Sequence, residues 1–266
     1  MPYADLHAHT TNSDGTLELD EVPAAARDAD VSVVAVTDHD RTHPDLDAPV
    51  VERDGVTLVH AIELRVDAGF ERVDLLGYGV VETDALAALV DRVQTDRAER
   101  GQAIIDNVED ALGIDLGIEG RPGLGRPNVA RAVADHPDTD YDVQGVFDDL
   151  IGNDGPCYVA RDVPTFEAGR EVLAGACAVV GLAHPFRYDD PERALALTET
   201  LDAVERDYPY GDGVDADLAA VDAAASEHDL LVTAGTDAHE RELGVCGLSE
   251  TDYAPLRDRL AAHAGD

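Results

Sequence analysis

Apolar runs in this chain repeatedly stop at residues that chelate metals, and that recurrence narrows the folds open to it. VSVVAVTDHD is a β-branched run closing on Asp38 and His39, LVHAIEL carries Glu63 at its end, VVGLAHP stops at His184, and LLVTAGTDAH stops at Asp237 and His239. A fifth segment, DLHAHTTNSDG, sets His7 and His9 one residue apart and then Asp14 in a turn at Gly15, where glycine admits backbone angles closed to other residues. Strand side chains alternate between faces, so His7 and His9 share a side. A single pair of this kind is weak evidence, but five terminations are not chance. In parallel α/β barrels the C-terminal strand ends form one rim, where active sites lie. His7, His9, Asp14, His39, Glu63, His184, Asp237 and His239 are therefore expected at one mouth.

The rest of the pattern agrees with a mainly parallel sheet or barrel. Short apolar runs predict strands at 3–7, 31–37, 56–62, 72–78, 178–183, 201–205 and 230–234. Helical patterns fall at 19–29, 191–198, 217–227 and 256–262. Between 84 and 165 the period changes: Leu86, Leu89, Val90, Val93, Ile104, Ile105, Val108 and Leu112 recur at helical spacing, with further helices from Pro127 and near 143–151. The expected organisation is a barrel from 1–83 and 166–266, with 84–165 as a helical insertion capping its mouth.

Composition limits the partners. The 266 residues carry a net charge of −38, and all 19 basic residues are arginines. Such a surface repels itself until salt shortens the Debye length to about 3 Å, near 1 M. The reading is a cytoplasmic protein of a salt-accumulating cell. Without lysine there is no Schiff base and no phosphate-loop lysine. Without a basic groove, stable capture of duplex nucleic acid is not expected. Cys157, Cys177 and Cys246 form no CxxC pair and read as reduced core residues. MPYADLHAH lacks the basic-then-apolar signature of a secretory leader, and no apolar run is long enough to span a membrane. The oligomeric state is not legible.

Mixed imidazole and carboxylate donors suit Zn²⁺, Mn²⁺ or Fe²⁺ better than Ca²⁺ or Mg²⁺. So many donors exceed one ion's needs, so two or three divalent metals are implied, with Glu63 the candidate bridge. Clustered metals make hydroxide available near neutrality and neutralise charge growing on a phosphoryl group.

DLHAHT, TDHD, the strand-end glutamate, AHP and GTDAH together resemble the PHP (polymerase and histidinol phosphatase) superfamily of metal-dependent phosphoesterases, in its order and over essentially the whole chain. The resemblance implies a distorted (β/α)7 barrel, usually with three metals. The chain is most similar to the branch of ribonuclease AM and nucleoside 3',5'-bisphosphate phosphatase. That branch has a helical insertion, a GRPxxAR-like segment and a YV-x-R segment, which here read GRPNVAR at 125–131 and YVAR at 158–161.

The chain departs from the pattern in three places. Asp74 in RVDLLGY stands where the family commonly has histidine; it either ligates metal in its place or pairs with an arginine, which would leave a dinuclear site. Asn128 stands where the branch often has histidine, and ERDYPYGD departs from the usual text there. Arg126, beside Pro127 at a helix start, is a candidate phosphate contact with Asn128, and Arg161 and Arg187 are two more. His43, His60, His136, His228 and His263 are expected outside the site, and Asp5 and Asp38 are expected to support imidazoles.

The function expected is phosphoester hydrolysis by a metal-bridged hydroxide, with Glu63, His184 and Asp237 as the catalytic residues. Nucleoside 3',5'-bisphosphates or short 5'-phosphorylated oligonucleotides, degraded from the 5' end, are the expected substrates. The rivals are a phosphatase of a small non-nucleotide monoester such as histidinol phosphate, and a non-catalytic accessory or binding protein on the same fold.

Overall fold

Strand-forming runs alternating with helices become, in the computed structural model, one eight-stranded sheet with helices packed against it; residues 2–211 and 213–264 are described. The strands are β1 (Ala4–Ala8), β2 (Val33–Val36), β3 (Val50–Arg53), β4 (Val56–Asp67), β5 (Arg72–Tyr78), β6 (Val179–Leu182), β7 (Ala203–Asp207) and β8 (Leu231–Ala234). Their order is β1-β2-β4-β5-β6-β7-β8, with β3 paired to β4 alongside this path. The helices are α1 (Val22–Asp28), α2 (Asp84–Leu112), α3 (Arg126–Ala134), α4 (Val143–Val146), α5 (Phe166–Ala174), α6 (Pro191–Ala196), α7 (Leu218–His228) and α8 (Glu250–His263).

The sheet is a nearly closed, distorted barrel of mixed direction. β1, β2 and the first half of β4 are parallel, as are β6, β7 and β8, but β5 is antiparallel to both β4 and β6. This corrects two sequence expectations. β4 does not stop at Glu63; it runs on to Asp67 because its second half forms a hairpin with β5, in register from Ala61↔Tyr78 to Asp67↔Arg72. β3 was not expected, since APVVERDG mixes two valines with charges. It is a half-exposed edge strand joined to β4 through Asp54 (φ 50°) and Gly55 (φ 79°), the two left-handed positions of a tight hairpin turn.

Closure comes from a bridge between Ala8 and Ala238, beyond the end of β8. His9 N–H donates to the Ala238 carbonyl (2.8 Å) and Ala238 N–H to the His7 carbonyl (3.2 Å). Gly235 makes this approach possible, because a Cβ there would run into the His7 backbone. The core draws Leu6, Val33, Ala35, Val59, Leu76, Tyr78, Val179 and Ala203 from successive strands, covered by Tyr253, Leu256 and Leu260 of α8. Each fully buried large aliphatic contributes about 1.5–3 kcal/mol.

Two compact units result: Met1–Ala88 with Val163–Asp266, and Leu89–Asp162. The second is helical among its described residues, with its own core of Ile104, Ile105, Val108, Val129, Val133, Val146 and Ile151. No helix among the described residues is long and apolar enough to cross a membrane.

Candidate metal centre

The strand directions explain how distant residues meet. His7 and His9 leave the end of β1 on one side, Asp14 follows in the next loop, and His39 follows β2. Glu63 lies within β4, held next to His39 by a parallel bridge. Because β5 runs opposite to its neighbours, its beginning lies where theirs end. Asp74, its third residue, therefore joins the same rim. His184 follows β6, and Asp237 and His239 follow β8. His184 (φ 26°) and Asp237 (φ 54°) both adopt left-handed backbone. Strain of this kind costs on the order of 1–3 kcal/mol per residue and clusters at functional sites.

All nine residues expected as metal ligands fall into four overlapping groups, within each of which the donor atoms lie within 4.8 Å of one another: His9, Asp14, His39 and His239; His7, His9 and Glu63; His7, His184 and Asp237; and Glu63, Asp74 and His184. His7, His9, Asp14, Glu63, Asp74 and His184 are no more than 3% exposed. Glu63 Oε1 is 3.0 Å from His184 Nε2 and 3.4 Å from His7 Nε2, while its Oε2 is 2.7 Å from His39 Nδ1 and 3.5 Å from His9 Nε2. One carboxylate thus faces two different pairs of imidazoles.

Donor chemistry and geometry fit divalent ions. His7 Nε2, His9 Nε2, Glu63 Oε2 and Asp237 Oδ1 are buried, crowd together, and make no hydrogen bond. Lone pairs that converge without hydrogens between them are costly unless a cation satisfies them. Burial pushes Asp14, Glu63 and Asp237 towards their neutral forms, but neighbouring imidazoles overcome it and hold all three carboxyls below the usual range. Burial lowers the His7 imidazole, yet Glu205, Asp237 and Glu63 hold it well above its ordinary value. Burial, and then the charges of His39 and His239, push the His9 imidazole down.

Glu205 was missed in the sequence. It is fully buried in the middle of β7, accepts from His7 Nδ1 (3.0 Å) with one oxygen and from His184 N–H (2.8 Å) with the other. Holding the Nδ1 proton leaves Nε2 as the donor atom facing the centre. The signal was present, since LDAVERD is another apolar run stopping at a carboxylate.

Several expectations need correction. Asp5 and Asp38 do not hold imidazoles through side-chain hydrogen bonds. Asp5 accepts from Thr236 Oγ1 (2.6 Å), Thr236 N–H (2.9 Å) and Gly244 N–H (2.8 Å); Asp38 accepts from Thr10 N–H (2.8 Å), Thr10 Oγ1 (2.7 Å) and Ser13 Oγ (2.8 Å). They tie the ligand-bearing loops in place. Gly15 is required for space and not for φ: a Cβ would meet the His9 carbonyl. Asp74 pairs with Arg65 through Nε (2.7 Å) and Nη2, and its carboxylate also lies in a donor group with Glu63 and His184, 3.8 Å from His184 Nε2. His43 and His60 are buried but belong to none of the four groups, nor do the half-buried His136, His228 and His263.

The substrate candidates divide between the units. Arg187 Nη1 is 3.1 Å from Asp237 Oδ2, at the centre. Arg126 and Arg161 belong to the second unit, with the buried Arg97 and Arg100. Burial, and then the charges of Arg161, Arg126 and Arg97, pull the Arg100 guanidinium down to about 10. Arg97, Arg100, Arg126 and Arg161 thus lie close enough together within the second unit for their charges to act on one another. α3 begins one residue earlier than expected, with Arg126 as its first residue; Asn128 Oδ1 accepts from Gly125 N–H (2.7 Å) and closes that helix start.

No family model matches the chain. A 3',5'-nucleoside bisphosphate phosphatase from Chromobacterium violaceum is 27% identical, covering 96% of this chain and 93% of the relative. A phosphoribosyl 1,2-cyclic phosphate 1,2-diphosphodiesterase from Eggerthella lenta is 32% identical, covering 88% and 93%. The 5'-3' exoribonuclease Rnm of Escherichia coli is 26% identical, covering 89% and 85%. In fold, the chain matches a Bifidobacterium adolescentis protein described as a metal-dependent phosphoesterase, with a TM-score of 0.79 at 21% identity over 96% of each chain. With the ordered motifs and the centre they build, these likenesses place it: the chain belongs to the PHP family of metal-dependent phosphoesterases.

Proposed function

We propose that the chain hydrolyses phosphate esters of nucleotides in the cytoplasm, acting on nucleoside 3',5'-bisphosphates or short 5'-phosphorylated oligonucleotides, with two or three divalent ions of Mn, Zn or Fe. The observation that carries this reading is the overlap of the four donor groups through His7, His9, Glu63 and His184. Shared donors support more than one ion, and Glu63, whose two oxygens face different imidazoles, would help hold them. When bound, such ions would supply Lewis-acid polarisation of a phosphoryl oxygen and acidify water.

The chain's own residues have separable tasks. Glu205 fixes the His7 tautomer, and the Arg65–Asp74 pair orients the carboxylate next to His184. The Arg187 guanidinium, beside Asp237, is placed to take up charge on the phosphoryl group. His184 or Asp237, at the same rim, would assist the departing oxygen. Arg126 and Arg161 of the second unit are the proposed phosphate contacts, and Asn128 shapes the helix start there. The Chromobacterium relative's name points the same way, whereas the Eggerthella relative makes a cyclic phosphate diester the reading to test against.

A substrate panel in high salt with Mn²⁺ separates these readings. Adenosine 3',5'-bisphosphate or a 5'-phosphorylated trinucleotide should be turned over at least about tenfold better, in kcat/KM, than histidinol phosphate or a phosphoribosyl cyclic phosphate. Bisphosphate turnover no better than that of simple monoesters contradicts the proposal.

A further inference from the structure

We infer that Phe186, Tyr208 and Tyr210 form a wall on which the nucleobase of the substrate stacks, at the rim of the candidate metal centre. The inference rests on the phosphoesterase reading above and names the part of the substrate, besides phosphate, that the site grips.

The three rings come from the loops after β6 and β7, and they form a connected series. Tyr208 lies 4.8 Å from Tyr210 between ring centroids, at an interplanar angle of 50°, and Tyr210 lies 5.6 Å from Phe186, edge-on at 73°. At the other end, Tyr208 stands edge-on to the His184 imidazole at 5.2 Å. The series is also pinned by polar contacts. The Tyr208 hydroxyl donates to Asp237 Oδ2 (2.8 Å) and accepts from Arg187 Nη1 (2.9 Å), and Phe186 N–H reaches the Tyr210 hydroxyl at 3.4 Å. Two candidate metal ligands, His184 and Asp237, are thus in direct contact with the wall.

Core packing does not account for these rings. The chain has no tryptophan, eight tyrosines and four phenylalanines, and its core is built on alanine, valine and leucine. Yet three of those few aromatics stand together in a short stretch of rim. All three are half-buried and not sealed in the core. An apolar, polarisable surface a few ångströms from a cluster of charged donors suits a ligand with a flat aromatic group attached to a phosphate. Every nucleobase has such a face, and stacking one on an aromatic side chain is worth about 1–3 kcal/mol, or about 5- to 150-fold in affinity. A base-free sugar phosphate gains nothing from the wall, so these residues divide the two substrate classes borne in the names of the relatives.

The test compares adenosine 3',5'-bisphosphate with base-free 1-O-methylribose 3,5-bisphosphate in the metal-loaded enzyme, together with binding of 2-aminopurine riboside 3',5'-bisphosphate followed by its fluorescence. The expected result is a KM at least about tenfold lower for the base-bearing substrate, a preference that shrinks in Tyr210→Ala and Phe186→Ala and survives in Tyr210→Phe. The 2-aminopurine emission should be quenched on binding to the unaltered enzyme. Equal KM values for the two bisphosphates, absence of quenching, or alanine variants that raise both KM values by the same factor would overturn the wall. Quenching without turnover of either substrate would instead overturn the phosphoesterase reading while leaving the stacking in place, so the two failures are told apart.

Discussion

The two units handle charge in opposite ways. In the first, the carboxylates of Asp14, Glu63 and Asp74 are buried and that of Asp237 is half-buried, all beside imidazoles, on a frame of strands that pair through the backbone. In the second, guanidinium groups are gathered on helices and loops, anchored by carbonyls: Arg100 Nε donates to Val159 O (2.6 Å) and Arg126 Nη1 to Ile151 O (3.1 Å). Strand ends offer side chains at a fixed pitch, which suits the tight geometry that metal coordination demands. Arginines on helices and loops reach further and tolerate variation, which suits gripping a phosphate. The first unit is therefore where chemistry should be lost, and the second is where recognition should be lost.

The largest break in that division should come at Asp237. Asp237→Ala combined with His7→Ala should lower kcat by about 10³-fold or more, with loss of bound metal by elemental analysis. Unchanged activity in this double variant would put the chemistry elsewhere.

A second prediction contrasts two buried histidines of the same sheet. His7 has carboxylate partners, but His60 has none by hydrogen bond, and burial pushes it down to about 4 from 6.5. Between those values the unfolded chain binds more protons than the folded one, so stability falls as pH drops from about 6.5 to 4. The effect is on the order of 3 kcal/mol. Denaturant titrations at several pH values should show His60→Leu flattening that dependence; an unchanged slope would count against it.

Glu205 sharpens the comparison within the first unit, because it acts through His7 and His184. Glu205→Ala should weaken metal binding by about 10- to 100-fold, measured by competition with a chelating dye. In the second unit, Arg126→Ala should raise KM about tenfold for a bisphosphate but hardly for a monophosphate, with kcat nearly kept. A parallel fall in kcat would dissolve the division of labour.

The centre was legible because its signal is local: an apolar strand that stops at a histidine or carboxylate can be seen one segment at a time. His7, His39, His184 and Asp237 were found in this way. What the sequence hid is pairing. The hairpin of β4 with β5 determines that Glu63 lies mid-strand and that Arg65 faces Asp74, and nothing in LVHAIEL announces a partner beyond it. β3 was overlooked although Asp-Gly at 54–55 marks a hairpin turn. Glu205 closes the apolar run LDAVE, and nothing in that run shows that its side chain reaches His7. The tasks of Asp5 and Asp38 were equally invisible, because the loops that they hold come together only in the folded chain.

Metal dependence of turnover decides the matter most directly. Purified protein in high salt should carry two or three divalent ions per chain by elemental analysis, lose adenosine 3',5'-bisphosphate hydrolysis when a chelator strips them, and regain it with added Mn²⁺. A chain that binds no divalent ion in stoichiometric amount, or that hydrolyses the bisphosphate equally well in excess chelator, would contradict the reading of these imidazoles and carboxylates as a metal centre.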